Sequence, residues 1–184
     1  MSTLDPHAPF VLDTRELGRR PGTAQRVRRM LPAPGGLAVG LAEVPADTEL
    51  AVDLLLEAVM EGVLVTLRTT VPVHGECARC LDEVATTVDV QATELFAYAD
   101  TDTDEETRHL DGELLDLEPV LRDAIVLELP ATMLCRPDCP GLCPRCGARL
   151  ADDPGHHHTE PVDPRWAALG ALSTADPTPP PEEH

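Results

Sequence analysis

Six cysteines and a run of histidines carry the chemistry of this chain. Cys77 and Cys80 form one Cys-x-x-Cys pair, and Cys143 and Cys146 form another. Cys135 and Cys139 stand just upstream of the second pair, and His156-His157-His158 just downstream. Two thiolates two residues apart grip one ion only where the chain turns sharply between them. In Cys143-Pro144-Arg145-Cys146-Gly147 the proline presets φ for such a turn, and the glycine relieves crowding where backbone N–H groups face sulfur. Each pair therefore reads as a zinc knuckle, half of a tetrahedral site.

A structural zinc site takes four ligands, and six cysteines with two histidines make two such sets. The preferred partition joins Cys77 and Cys80 with Cys135 and Cys139, and Cys143 and Cys146 with His156 and His158. Histidines two apart on an extended segment project to one side, so His157 points away. Four thiolates leave a zinc site net negative, which calls for a nearby arginine such as Arg79 or Arg136. Two other partitions remain open: Cys77, Cys80, Cys143 and Cys146 as a two-knuckle ribbon, or Cys135, Cys139, Cys143 and Cys146 as one compact site. None shows an open coordination position, so the metal, zinc in one or two ions, is read as structural.

Catalytic patterns fit poorly. His74-Gly75-Glu76 with a distant Cys-x-x-Cys resembles a zinc-deaminase signature, but Leu142 stands where that pattern has proline. A redox role for Cys77 and Cys80 would need a βαβ setting. The Asp100–Glu106 run imitates a calcium loop, yet Glu105 occupies its obligatory glycine position. Glu113, Asp116 and Glu118 suit a helix N-terminus better than an acid–base pair. The chain reads as non-enzymatic, with no small-molecule substrate.

These ligands need a frame. Leu50 to Met60 alternates with one wholly apolar face; Glu61-Gly62 is a turn signal; Val63, Val65, Leu67, Thr69, Val71 and Val73 alternate again. Pro72 suits the end of that strand. A third run, Glu83 to Tyr98, follows Cys80, which places the first knuckle at the tip of an antiparallel hairpin. Leu37–Leu41 reads as a short strand, and Thr14–Leu17 as a helical turn stopped by Gly18. Asp116 can cap a helix to about Leu129, with Leu117, Val120, Leu121, Ala124 and Leu127 as its buried stripe. The expected fold class is α+β: an antiparallel sheet over about 50–98, one main helix, and a C-terminal zinc-knuckle module.

The expected organisation is a mobile N-terminal segment with a basic arm (1–36), an α+β core (37–133), a Cys/His-rich module (134–172) and a disordered tail (173–184). Val162–Leu172 is expected to hold a helical turn or two anchored by Trp166. Aromatic residues make up 2% of the chain, so the core must be aliphatic.

The net charge is −19 and uneven: six arginines face three acids in residues 1–30, and eight face thirty in the rest. An acidic body repels phosphate and suits a basic protein partner. Arg19, Arg20, Arg26, Arg28 and Arg29 form the basic arm, available to RNA or another partner. No apolar leader or membrane span is visible, and a cysteine set of this kind suits the cytoplasm.

The order F-V-L-D-T-R-E-L, E-G-V-L-V, C-A-R-C-L, D-L-E-P-V-L-R-D-A-I-V-L-E-L-P and C-R-P-D-C-P-G-L-C-P-R-C-G resembles the YceD family, also called the DUF177 family. That resemblance spans about residues 10–172. It implies a cytoplasmic ribosome-biogenesis factor that supports 23S rRNA accumulation and large-subunit assembly. The implied partners are a large-subunit precursor or a basic ribosomal protein, with contact to rRNA. Where many members carry Cys-x-Cys, this chain has His156 to His158, which keeps the ligand spacing. The alternative function is a general zinc-stabilised protein-interaction module with no ribosomal role.

Overall fold

The structure, a computed structural model, describes residues 4–99, 107–158 and 165. The chain divides into two compact units, Met1–Ala151 and Asp152–His184. The acidic run at 100–106, the Trp166 segment and the expected tail at 173–184 lie outside the described residues.

In the first unit the strands run β1 (Val11–Asp13), β2 (Ala24–Pro32), β3 (Ala38–Val39), β4 (Ala42–Glu43), β5 (Glu49–Ala58), β6 (Gly62–Glu76), β7 (Glu83–Ala97), β8 (Arg108–His109) and β9 (Leu114–Asp116), followed by helix α1 (Glu118–Glu128). Among the described residues the fold is mostly antiparallel sheet with one α-helix, the α+β class expected from the sequence. Strand β6 is its spine. Along one edge it pairs β7 over its full length, from Gly62↔Ala97 to Glu76↔Glu83. Along the other it pairs β5 at residues 63–68 and β4 at residues 74–75.

The alternation that defined the strands also defines the core. Leu50, Val52, Leu54, Leu56 and Ala58 of β5 and Val63, Val65, Leu67, Val71 and Val73 of β6 are all buried. Burying an aliphatic side chain of this size contributes about 1.5–3 kcal/mol, so one sheet face supplies most of the driving force. Pro72 lies inside β6 rather than at its end. It is tolerated there because no described strand pairs residues 69–73 on the edge shared by β5 and β4.

Helix α1 packs on β7. Pro119 lies in its first turn, and the Asp116 carboxylate accepts the Glu118 N–H at 2.9 Å, so Asp116 closes the helix start from the end of β9. The buried stripe is Val120, Leu121, Ala124 and Ile125, with Leu117 at the cap. Leu127, expected inside, is 83% exposed. Leu127 lies on the same flank as the buried Val120 but two turns further on, near the helix end, while Ile125 on the other flank is buried in its place. Pro130 ends the helix, and Leu129 and Met133 return to the core.

The N-terminal segment departs from expectation. Residues 24–32, expected within a mobile basic arm, form β2 and pair β5 from Ala24↔Glu57 to Pro32↔Glu49. Leu31, 2% exposed, anchors it, while its arginines stay in water. The single strand expected over 37–41 is two short strands joined at Gly40, whose φ of 59° lies in the left-handed region. Thr14–Leu17 makes a turn: the Leu17 and Gly18 N–H groups both donate to the Thr14 carbonyl. β1 pairs β9, seating the chain start beside the start of the helix.

Candidate metal centres

The β6–β7 connection builds the first knuckle. The Cys77 N–H donates to the Asp82 carbonyl at 2.8 Å, and the Leu81 N–H donates to the Cys77 carbonyl at 2.9 Å. The second knuckle repeats this pattern: the Cys143 N–H donates to Ala148 and the Gly147 N–H to Cys143, both at 2.8 Å. In each, the residue after the second cysteine has positive φ, 61° at Leu81 and 72° at Gly147. The second knuckle has glycine where the turn demands it. The first has an exposed leucine, which costs about 1–2 kcal/mol in that conformation. Leu81→Gly should therefore raise the unfolding free energy by up to about 1 kcal/mol, read as a higher denaturant midpoint at unchanged m-value.

The first knuckle is joined to the segment after α1 by direct hydrogen bonds. The Ala78 N–H donates to the Met133 carbonyl, and the Leu142 N–H to the Arg79 carbonyl. The Arg79 guanidinium donates to the carbonyls of Pro137 and Cys139, at 3.2 and 2.9 Å. Gly141, at φ 81°, passes so close that a Cβ would stand 2.9 Å from the Arg79 carbonyl oxygen. Arg79 was expected near the sulfurs for its charge alone; its five-donor fork and backbone also hold the second half of the site in place. Arg136 pairs with the exposed Asp138.

These bonds bring four sulfurs together. The Sγ atoms of Cys77, Cys80, Cys135 and Cys139 all lie within 4.8 Å of one another. Cys77 and Cys139 are 3.9 Å apart, and Cys80 and Cys135 are 3.6 Å apart. Four sulfurs each about 2.3 Å from a tetrahedral ion stand about 3.8 Å from one another. The spacing thus fits a four-thiolate site, a donor set suited to zinc or iron. All six cysteines are free thiols. Cys77 and Cys139 are buried and Cys135 faces outward.

The thiols differ in acidity. The backbone N–H of Cys135, with those of Arg79 and Cys80, holds the Cys77 thiol down to about 6. At Cys80 the Asp82 N–H favours the thiolate, but burial and three thiol neighbours outweigh it and push the thiol up to about 12. Cys139 raises Cys135 in the same way. At neutral pH, metal entry must therefore displace protons from Cys80 and Cys135 at least. Metal affinity of the isolated protein should rise at least about 100-fold per pH unit between pH 7 and 8, measured by competition with a chromogenic chelator. Below about pH 6, Cys77 also takes a proton and the slope steepens.

Of the second expected set, Cys143 and Cys146 belong to the first unit and His156 and His158 to the second. The cysteines sit on the second knuckle, Cys143 buried and Cys146 exposed. In the second unit, the His156 N–H donates to the Asp153 carbonyl, and the Nε2 atoms of His156 and His158 converge to 3.1 Å. Two nitrogens about 2.05 Å from one tetrahedral ion stand about 3.3 Å apart, so the pair has the spacing of two ligands. His157 turns away, its Nδ1 2.9 Å from the Gly155 carbonyl oxygen.

The five arginines do not form one arm. Arg19 stacks on the Tyr98 ring, 4.5 Å from its centroid, and pairs with Glu113 at 3.2 Å. Arg20 is exposed in the turn before β2. The β2 register puts Arg26 and Arg28 on the sheet face away from the core, where Arg28 meets Asp53 at 3.5 Å. Arg29 is on the opposite face, exposed because β2 is an edge strand. Arg68 of β6, not singled out in the sequence, lies in the same cross-strand row as Arg28 and Asp53. Only the strand register reveals that alignment.

A family model described as "Large ribosomal RNA subunit accumulation protein YceD" matches residues 65–173. The chain belongs to the YceD family. The matched region covers all six cysteines, α1 and the histidine run, and begins after β2 and its arginines. A Mycobacterium tuberculosis protein, Rv2926c of strain H37Rv, is 47% identical over 167 residues, spanning 88% of this chain and 80% of the relative. The Mycobacterium leprae protein ML1660 is 37% identical over 174 residues, spanning 92% and 80% respectively. Bacillus subtilis YlbN is 28% identical over 103 residues, spanning 54% and 60%. No solved structure matches the chain. YceD membership links the chain to accumulation of the large ribosomal RNA subunit. Among the described residues, no helix is long and apolar enough to cross a membrane.

Proposed function

We propose that the protein is a non-enzymatic, cytoplasmic ribosome-biogenesis factor that supports 23S rRNA accumulation by binding a basic ribosomal protein, rRNA or both during large-subunit assembly. The observation that carries this reading is the YceD match over residues 65–173. The metal centres take a structural part, with zinc as the ion. Thiolates at both ends of the Cys77–Cys139 connection suit a fastening role, and four protein donors per ion leave no position for substrate.

The charge distribution supports a chaperoning mechanism. Residues 31–184 carry thirty acids against eight arginines. Such a surface screens the positive charge of a basic ribosomal protein until rRNA displaces it. The arginines at 19, 20, 26, 28 and 29, spread over more than one face, supply further, spatially separate contacts to the precursor particle.

Depletion in cells, followed by quantification of 23S against 16S rRNA, tests the role. A selective fall in 23S rRNA and co-sedimentation of the tagged protein with large-subunit precursors are expected. Unchanged 23S levels with no precursor enrichment would remove the reading and leave a zinc-stabilised interaction module. Capture of a basic partner should weaken as salt rises from 50 to 300 mM, because exposed charges are screened over about 10 Å or less.

A further inference from the structure

Strand β2 has one partner among the described residues, β5, so its other edge is open. Which backbone groups face that edge follows from the bonds flanking the ladder. The Ala33 N–H donates to the Thr48 carbonyl, and the Thr23 carbonyl accepts the Ala58 N–H. Both odd-numbered residues thus point their peptide groups toward β5. In an antiparallel strand the direction alternates, so Ala24, Arg26, Arg28 and Met30 point theirs outward. Pro32 is the next outward position and has no N–H to offer. The open row of alternating donors and acceptors therefore runs from Ala24 to Met30.

This edge has a sign. Ala24–Pro32 carries Arg26, Arg28 and Arg29 and no acid, within a chain of net charge −19. All three are exposed. The geometry points to strand addition at β2: an extended, acidic segment of a partner polypeptide pairs the Ala24–Met30 edge and places its carboxylates against Arg26 and Arg28, which share one sheet face. The backbone row supplies length and register, and the arginines select the charge.

Other occupants fit less well. A second copy pairing antiparallel about the strand centre would set Arg28 directly opposite Arg28, and like charges facing across a ladder destabilise it. Single-stranded RNA offers phosphate acceptors but few matches for the outward carbonyls. The base-stacking aromatics it uses are also missing from this edge: Phe96 and Tyr98 are buried. A basic segment is repelled. The inference stands apart from the rRNA reading, which is tested by depletion rather than by peptide binding.

The test uses the 15N-labelled full chain and a nine-residue blocked peptide of alternating Glu and Thr. Three controls accompany it: the same peptide N-methylated along one edge, its Lys-for-Glu counterpart, and a nine-nucleotide single-stranded RNA. The acidic peptide is expected to slow hydrogen exchange at the Ala24, Arg26, Arg28 and Met30 amides. N-methylation on the pairing edge should weaken binding at least about tenfold, as should reversing the peptide's charge. Met30→Pro removes one outward donor but no bond to β5 and no arginine. It should weaken the peptide similarly while the far-UV spectrum and melting temperature hold. Three results would overturn the proposal: RNA protecting these amides where the peptide does not, equal binding of the N-methylated peptide, or concentration-dependent self-protection of β2 without any probe.

Discussion

Replacing Cys77 with serine is expected to unfasten the β6–β7 tip from the segment after α1. The purified variant should carry one zinc ion fewer per chain than the parent by elemental analysis. Cys77 is fully buried, and it is the sulfur most disposed to thiolate form. A serine hydroxyl there is a poor ligand for a soft tetrahedral site and becomes a buried polar group facing three thiols. Metal bound only to the native state stabilises it by mass action, and structural zinc sites bind with about 10–16 kcal/mol. The expected loss is several kcal/mol of unfolding free energy, the same loss a strong chelator produces in the parent. Cys146→Ser provides the contrast: that residue is exposed, outside the sulfur quartet, and its loss should lower zinc content without comparable unfolding. Equal metal content in Cys77→Ser and the parent would refute the four-sulfur assignment.

Gly75→Ala is expected to have the next largest effect, with no change in charge or ligand. An added Cβ at Gly75 would run into the Leu41 carbonyl and stand 2.6 Å from the Met133 sulfur. The position is held from two sides. Gly75 pairs Ala42 of β4, and Met133 is 3% exposed and accepts the Ala78 N–H through its carbonyl. Relief requires either β4 to leave the sheet or Met133 to shift, and the second moves the segment carrying Cys135. Overpacking of this kind costs about 1–3 kcal/mol where side chains can adjust, and backbone is less forgiving. Thermal unfolding should show a loss at the upper end of that range, about 2–3 kcal/mol or more, accompanied by weaker metal binding in chelator competition. A variant that melts like the parent would mean that β4 is not held against β6 as described.

The parts legible in the sequence were those with strong apolar contrast. β5 and β6 announced themselves by strict alternation, and the knuckle fell where two strand patterns met around Cys-x-x-Cys. β2 was not legible because its burial is carried by Leu31 and partly by Val27, while arginines fill the other positions. An edge strand of that composition looks like a basic arm until a neighbour supplies the ladder. The helix stripe was read correctly except that Leu127 was included and the fully buried Ile125 missed, because periodicity gives a face but not how far the opposing sheet extends. The grouping of Cys77 and Cys80 with Cys135 and Cys139 was one of three partitions the spacing allowed. What separates them is the Arg79 fork and the Ala78–Met133 bond, contacts across more than fifty residues that no local pattern encodes. The strained Leu81 was equally hidden, since nothing marks a leucine for positive φ except the turn it occupies.

The sulfur quartet also orders events during synthesis. Cys77 and Cys139 are separated by 62 positions, so half the donors emerge from the translating ribosome well before the other half. By then the β5–β6–β7 meander has its full complement of strands, and its tip waits with two unmated thiols. Metallation can therefore be completed only once the helix and its exit have been made, so that capture of the ion marks a nearly finished polypeptide.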